Sequence, residues 1–104
     1  MYRLVVAPRA KSDIAAFLKW VANYGEAKSS EFEKDIEVSI IKYLLQRPHT
    51  WPYFFLLGKP YRAYLYTVSR RTSFWLVFSI DEENNAVKLL RFWNSAQDPN
   101  RFVI

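Results

Sequence analysis

The chain has 104 residues, a length typical of one domain, and 51% of them are hydrophobic, enough for a single packed core. It contains no cysteine, which excludes disulfides, zinc–thiolate sites, iron–sulfur clusters and thiol nucleophiles. Lys and Arg number 15 against 10 Asp and Glu, and the net charge of +5 favours polyanions or acidic proteins as partners. We therefore expect one basic, cytoplasmic domain spanning residues 1–104 that binds macromolecules without a metal or organic cofactor.

The first third of the chain predicts a strand and two helices. Residues 2–6 alternate in the manner of a strand, and Pro8 ends this apolar run too early for a signal peptide or a membrane span. Residues 9–24 then repeat apolar side chains every three or four positions, which predicts the first helix, and Gly25 ends it.

Residues 26–47 predict a second helix. Acidic residues lie toward its start and basic residues toward its end, the order that a helix dipole favours, and Pro48 closes the segment. A helix of this length would extend about 33 Å at ~1.5 Å per residue. Because only Gly25 separates the two helices, we expect an antiparallel helical hairpin.

Residues 48–60 contain three prolines and predict a loop that is unusually apolar. We interpret its aromatic residues as a cover over the end of the core, and a partner-binding patch is the alternative. These residues are Trp51, Tyr53, Phe54 and Phe55.

Three strands are predicted after the loop, at residues 61–68, 74–80 and 86–93. The middle run is apolar on both faces, so it should lie at the centre of the sheet with helices on one side. In the two outer runs, side chains for the two faces of the sheet alternate more regularly. The predicted fold is α+β, with the order β-α-α-β-β-β and an antiparallel helical hairpin packed on a mainly antiparallel sheet.

Few residues offer catalytic chemistry. His49 is the only histidine, so a catalytic triad or metal site would depend on one loop residue, and we interpret it as a loop histidine with a satisfied ring. Gly25 and Gly58 are isolated, which argues against a phosphate-binding loop. Glu82 and Glu83 precede two asparagines and are typical of a solvated turn.

Cations near or within the strands form the remaining candidate site: Arg62, Arg70, Arg71, Lys88, Arg91 and Arg101. Arg62 and Arg91 each interrupt a largely apolar strand and need a partner, solvent or a ligand. If both point away from the helices together with Tyr64 and Tyr66, they form a cationic, aromatic surface. Such a surface suits nucleic acid or an acidic protein segment.

Three stretches resemble the RelE/ParE superfamily of bacterial toxins. They are YRLVVAPRAKSDI at residues 2–14, Gly58-x-x-Tyr61-Arg62 at the start of the first meander strand, and LRFWNSAQDP at residues 90–99. The resemblance spans nearly the whole length and includes the order of the predicted elements. It implies the toxin of a type II toxin–antitoxin module, held in a hetero-oligomer by an antitoxin that wraps an amphipathic segment around the hairpin and sheet.

The family implies two alternative activities. RelE-like members cleave mRNA on the ribosome with basic residues and a C-terminal Tyr, but the corresponding positions hold Tyr66, Gln97 and Phe102 here. Phe102 donates no proton, and Gln97 cannot neutralise a developing dianion. The ending at residues 94–99 is closer to ParE-like chains, which poison DNA gyrase, although Asn94 and Gln97 depart from that pattern as well.

The resemblance therefore favours a ParE-like toxin that acts on DNA gyrase and has no membrane partner. Its tentative target-binding residues are Arg62, Arg70, Arg71, Arg91 and Gln97. One alternative is a ribosome-dependent nuclease with a rearranged site made of Arg62, Tyr64, Tyr66 and Arg91. Another is an inactive binding protein with the toxin fold.

Overall fold

The computed structural model describes residues 1–104. Its regular elements follow in the predicted order. They are strand β1 (Arg3–Val6), helices α1 (Pro8–Ala22) and α2 (Glu26–Ser39), a π-helical turn (Ile40–Leu45), and strands β2 (Arg62–Thr67), β3 (Ser73–Asp81) and β4 (Ala86–Asn94). Short 3₁₀ turns lie at Pro48–Thr50 and Pro99–Arg101.

The two helices form the predicted antiparallel hairpin, because residues later in α2 contact residues earlier in α1. The Ser29 hydroxyl donates to the Leu18 carbonyl at 3.0 Å, and the rings of Phe32 and Phe17 lie 5.6 Å apart, edge to face. Gly25 makes the turn with φ +124°, a conformation that side chains rarely adopt. The prediction of one continuous second helix was wrong, since α2 ends at Ser39 and a wider π-helical turn follows.

The sheet is mixed and has the strand order β1-β4-β3-β2. β2, β3 and β4 form the predicted antiparallel meander, whereas β1 pairs in parallel with the first half of β4. β3 lies between two strands and buries Leu76, Val77 and Phe78 completely, as its apolar character on both faces predicts. The fold is therefore α+β, with two helices packed on a four-stranded mixed sheet.

The sheet has a helix face and an open face. On the helix face, thirteen buried residues form the main core, including Phe17, Ile36, Leu44, Leu76 and Leu89. On the open face, Phe54, Ala63 and Val77 form a smaller core, against which Leu56, Trp75 and Phe102 pack. The loop and the C-terminal residues thus cover part of the open face.

A β-bulge shifts the register of β4. Val77 pairs with Arg91 and Phe78 pairs with Leu89, so Leu90 is the extra residue. The bulge places both Leu89 and Phe92 in the helix-face core, although they are three residues apart. The regular alternation expected for this strand was therefore wrong from residue 90 onward.

Candidate functional site

The structure does not bring the four candidate nuclease residues together on one outward surface. Arg62, Tyr64 and Tyr66 pair in register with Phe78, Leu76 and Phe74, which lie on the helix face. Arg91 instead pairs with Val77, a residue of the open-face core. The condition for a shared cationic, aromatic surface, that both arginines and both tyrosines point away from the helices, is therefore not met.

Arg62 holds the loop against the start of β2. Its Nη1 donates to the Trp51 carbonyl at 2.6 Å, and its guanidinium carbon lies 4.4 Å from the centre of the Tyr53 ring. A weaker contact of 3.5 Å reaches the His49 carbonyl. The cation that interrupts this apolar strand is thus satisfied by the loop itself.

Tyr66 is buried beneath the helices, with 3% of its surface exposed. Its hydroxyl donates to Asp35 Oδ2 at 2.5 Å. Burial, followed by the hydrogen bond to the Asp35 carboxylate, raises the pKa of Tyr66 far above its ordinary value. Tyr66 therefore joins β2 to α2 and is a poor proton donor or acceptor for catalysis.

Tyr64 belongs to a half-buried aromatic cluster at the end of the π-helical turn. Its ring stacks on Tyr43 with the ring centres 4.8 Å apart, and Trp51 meets it edge to face at 4.7 Å. The Trp51 indole N–H donates to the Tyr43 carbonyl at 2.7 Å. Lys42 and Arg47 each lie 5.4 Å from the centre of the Tyr43 ring, so the cluster has a cationic rim.

Arg91 forms an ion pair that fastens α1 to the sheet. Its Nε and Nη2 donate to the two carboxylate oxygens of Asp13 at 2.7 and 3.1 Å. The same carboxylate accepts from the Phe92 backbone N–H at 3.0 Å, at the edge of β4 that β1 leaves uncovered. Arg91 also donates through Nη1 to the Val103 carbonyl, which fixes the C-terminal residues.

Asp13 and Arg91 also line a groove between α1 and the end of β4, which has a volume of about 460 Å³. Gln97 and Asn94 line the groove together with Trp20 and Trp93. Thr72, which follows Arg70 and Arg71 in the turn before β3, also lines the groove. Both of these arginines are exposed, as are Lys88 and Arg101, whereas Arg62 and Arg91 are held by partners inside the fold.

His49 and Glu82 form a contact that the sequence did not indicate. His49 Nε2 lies 2.5 Å from Glu82 Oε1, and the Tyr2 hydroxyl donates to Glu82 Oε2 at 2.9 Å. Glu82 is therefore more than a solvated turn residue, because it links the β3–β4 turn to the loop and the N-terminus. No signal in the local sequence could pair residues separated by 33 positions.

The loop aromatics have two different roles. Trp51 packs against the main core and Phe54 is buried in the open-face core, so both cover the core as predicted. Phe55 is 69% exposed, and its neighbours Tyr53 and Leu57 are exposed as well. The exposed side chains give the loop an apolar outer surface.

No group of His, Cys, Asp and Glu side chains is arranged to hold a metal ion. None of the helices combines the length and apolar character needed to cross a membrane. Neither a protein-family model nor a curated protein matches this chain. What the surface offers is exposed cations, exposed aromatic side chains and the groove between α1 and β4, which is a set suited to binding a macromolecule.

Proposed function

We propose that this chain is the toxin of a type II toxin–antitoxin module, neutralised by a cognate antitoxin and acting on DNA gyrase in the manner of ParE-like toxins. The observation that carries the proposal is the meeting of the three stretches on which the resemblance rests. Asp13 of the first stretch pairs with Arg91 of the third. Pro8, Tyr61 and Leu90, one from each stretch, line a common groove of about 450 Å³.

The geometry favours inhibition by binding over cleavage of RNA. A rearranged nuclease site would need Arg62, Tyr64, Tyr66 and Arg91 around one phosphate. Tyr66 is buried with a raised pKa, Arg91 is held by Asp13 near the other face, and Arg62 is bound to the loop. The exposed pair Arg70 and Arg71, with Gln97 in the adjacent groove, remains available to contact a target.

Inducible expression in a bacterium tests the toxin function. We expect growth arrest when this chain is expressed alone, and restored growth when the protein of the neighbouring small gene is co-expressed. A matched control is Tyr66→Phe, which keeps the fold and removes only a hydroxyl. It should still arrest growth if the chain acts by binding, whereas a nuclease that uses Tyr66 would lose its effect. Normal growth with folded wild-type protein would contradict the proposal.

Two purified systems identify the target. The chain should inhibit supercoiling by gyrase or trap cleaved DNA, and it should leave ribosome-bound mRNA uncut. Arg70→Ala combined with Arg71→Ala should weaken the inhibition, because these side chains are exposed and are not used inside the fold. Codon-specific mRNA cleavage with unaffected gyrase would overturn the gyrase assignment.

A further inference from the structure

The groove between α1 and the end of β4 has the size of a small-molecule site. Its volume of about 460 Å³ lies within the range of about 300–1,000 Å³ that is usual for such sites. Aromatic rings form most of its apolar lining, and polar side chains border them. The aromatic residues include Phe17, Trp20 and Phe74, and the polar residues include Thr72, Asn94 and Gln97.

Trp20 supplies the accessible aromatic surface of the groove. It is 49% exposed, whereas Phe17 and Phe92 are almost fully buried. The ring of Trp20 lies 6.2 Å from that of Phe17 and 5.6 Å from that of Tyr24, so neighbours on and next to α1 brace the indole. An exposed indole held in this way is a platform on which a nucleobase stacks.

The polar border has hydrogen-bonding capacity left. Asn94 Oδ1 accepts from the Ala96 N–H at 2.9 Å, which leaves the Nδ2 donors free. The Gln97 amide and the Thr72 hydroxyl line the groove without an internal hydrogen bond. The adjoining carboxylate, Asp98, is engaged in capping the next turn. A Gln amide offers a donor and an acceptor side by side, the pattern that pairs with the N6 and N7 edge of adenine.

The polar end of the groove is held in shape by the sheet. The Ser95 N–H donates to the Ser73 carbonyl at 3.0 Å, and the hydroxyls of the two serines form a hydrogen bond of 2.7 Å. The Val68 N–H closes the β2–β3 turn by donating to the Thr72 carbonyl at 2.9 Å. Thr72 and Asn94 adjoin these contacts in the chain, so the polar border is positioned before a ligand arrives.

Two arginines are attached beside this end of the groove. Arg71 and Arg70 directly precede Thr72, so their Cα atoms lie within about 4 and 8 Å of the Thr72 Cα. Both are exposed, and neither forms an ion pair. Deeper in the groove, the Arg91 guanidinium is already bound by Asp13. An anionic group is therefore favoured at the Thr72 end and not beside Asp13.

We propose that this groove binds an adenine mononucleotide. The base contacts the Trp20 ring and the Gln97 amide. The phosphate lies at the mouth of the groove, where Arg70 and Arg71 supply its counter-charge. One nucleotide fits this distribution better than a strand does, because a strand passing through would bring a second phosphate toward the Asp13 carboxylate.

The nucleotide site goes beyond the proposed function, and binding does not depend on that function. Arg70, Arg71 and Gln97 are also the residues available to the proposed target. A bound nucleotide would therefore compete with the target, and this competition alone rests on the proposed function.

AMP tests the site on the ¹⁵N-labelled full chain. The chain has four tryptophans, so the Trp20 indole N–H is one of only four such signals. We expect saturable shifts centred on this signal and on the side-chain amides of Asn94 and Gln97. Adenosine, which lacks the phosphate, should bind at least about tenfold more weakly. UMP should also bind about tenfold more weakly, because it stacks less and lacks the adenine edge.

Variants separate the phosphate contact from the base contact. Arg70→Ala combined with Arg71→Ala should reduce the affinity for AMP to that for adenosine and leave adenosine binding unchanged. The matched control is Lys42→Ala combined with Lys59→Ala, which removes two exposed charges outside the groove and should change AMP affinity by less than about twofold.

Trp20→Leu removes the stacking surface and keeps an apolar side chain. It should weaken AMP and adenosine alike, by about tenfold. If this variant does not fold, the comparison of AMP with adenosine and UMP on the unmodified chain still decides between a nucleotide site and none.

Several outcomes would overturn the nucleotide site. They are shifts centred elsewhere, equal binding of AMP and adenosine, an equal loss in the lysine control, and inorganic phosphate that binds as tightly as AMP. Tighter binding of an oligodeoxyadenylate at the same signals would assign the groove to nucleic acid and overturn the mononucleotide.

The toxin proposal and the nucleotide site fail separately. Growth arrest by a chain that does not bind AMP would remove this inference and leave the toxin function, and AMP binding without growth arrest would do the opposite. Trapping of gyrase-cleaved DNA, assayed without ATP, should weaken as AMP is added. Unchanged trapping at saturating AMP would overturn the competition and leave the site.

Discussion

Replacing Arg91 by alanine should destabilise the fold. An exposed ion pair contributes roughly 0–1 kcal/mol, whereas removing one partner of a buried pair costs about 3–5 kcal/mol. The side chains of Arg91 and Asp13 are only 11% and 19% exposed, so the pair is closer to the buried case. In this variant the Phe92 N–H still donates to the Asp13 carboxylate, which reduces the loss of stability. We expect Arg91→Ala to lower the free energy of unfolding by about 2–3 kcal/mol.

Urea unfolding followed by tryptophan fluorescence measures this loss, since the guanidinium lies 5.1 Å from the Trp93 ring. With a slope of about 1 kcal/mol per molar urea, the midpoint should fall by roughly 2–3 M. Arg71→Ala is the matched control, because Arg71 is exposed and should change stability by less than about 0.5 kcal/mol. A double-mutant cycle with Asp13→Ala isolates the pair. A change for Arg91→Ala no larger than for Arg71→Ala would refute the reasoning.

Other substitutions test separate parts of the structure. Tyr66→Phe should cost about 1–2 kcal/mol at neutral pH through the lost bond to Asp35. The raised pKa of Tyr66 means that wild-type stability is complete below the ordinary tyrosine pKa of 10.0 and falls as the pH rises above it. This fall should be smaller in Tyr66→Phe when urea unfolding is compared at pH 8 and pH 10.5, and an equal fall in both proteins would argue against the burial effect. Phe55→Ser should lower the free energy of unfolding by less than about 1 kcal/mol, because the side chain is mostly exposed, and a larger loss in urea unfolding would contradict its exposed position. Gly25→Ala should cost about 1–3 kcal/mol in thermal unfolding because of its φ of +124°, and an unchanged midpoint would contradict the strain argument.

Periodicity and turn residues were sufficient to predict the order of the elements. The hairpin at Gly25 and the central position of β3 followed from local patterns of apolar residues, and both are confirmed. The change to a π-helical turn after Ser39 was missed, because α and π turns share similar apolar spacing over so short a segment. The bulge at Leu90 was missed because one extra apolar residue leaves no signal when it directly follows another, here Leu89.

The environment of the candidate site was less predictable than the fold. Sequence reasoning correctly indicated that Arg62 and Arg91 need partners, since a cation within an apolar strand is costly when unpaired. It could not identify those partners. Asp13 is 78 positions from Arg91, and the carbonyl that Arg62 contacts belongs to a loop whose path depends on the completed sheet.

The parallel pairing of β1 with β4 governs when the chain can fold during synthesis. β1 leaves the ribosome well before its partners in the sheet, which are residues 86–89. The helical hairpin relies on local contacts and can form earlier, whereas joining β1 to β4 closes a loop of about eighty residues, which is slow and costs entropy. Until β4 emerges, the groove of Pro8, Tyr61 and Leu90 does not exist. The surface that this groove provides therefore assembles only after β4 has been synthesised.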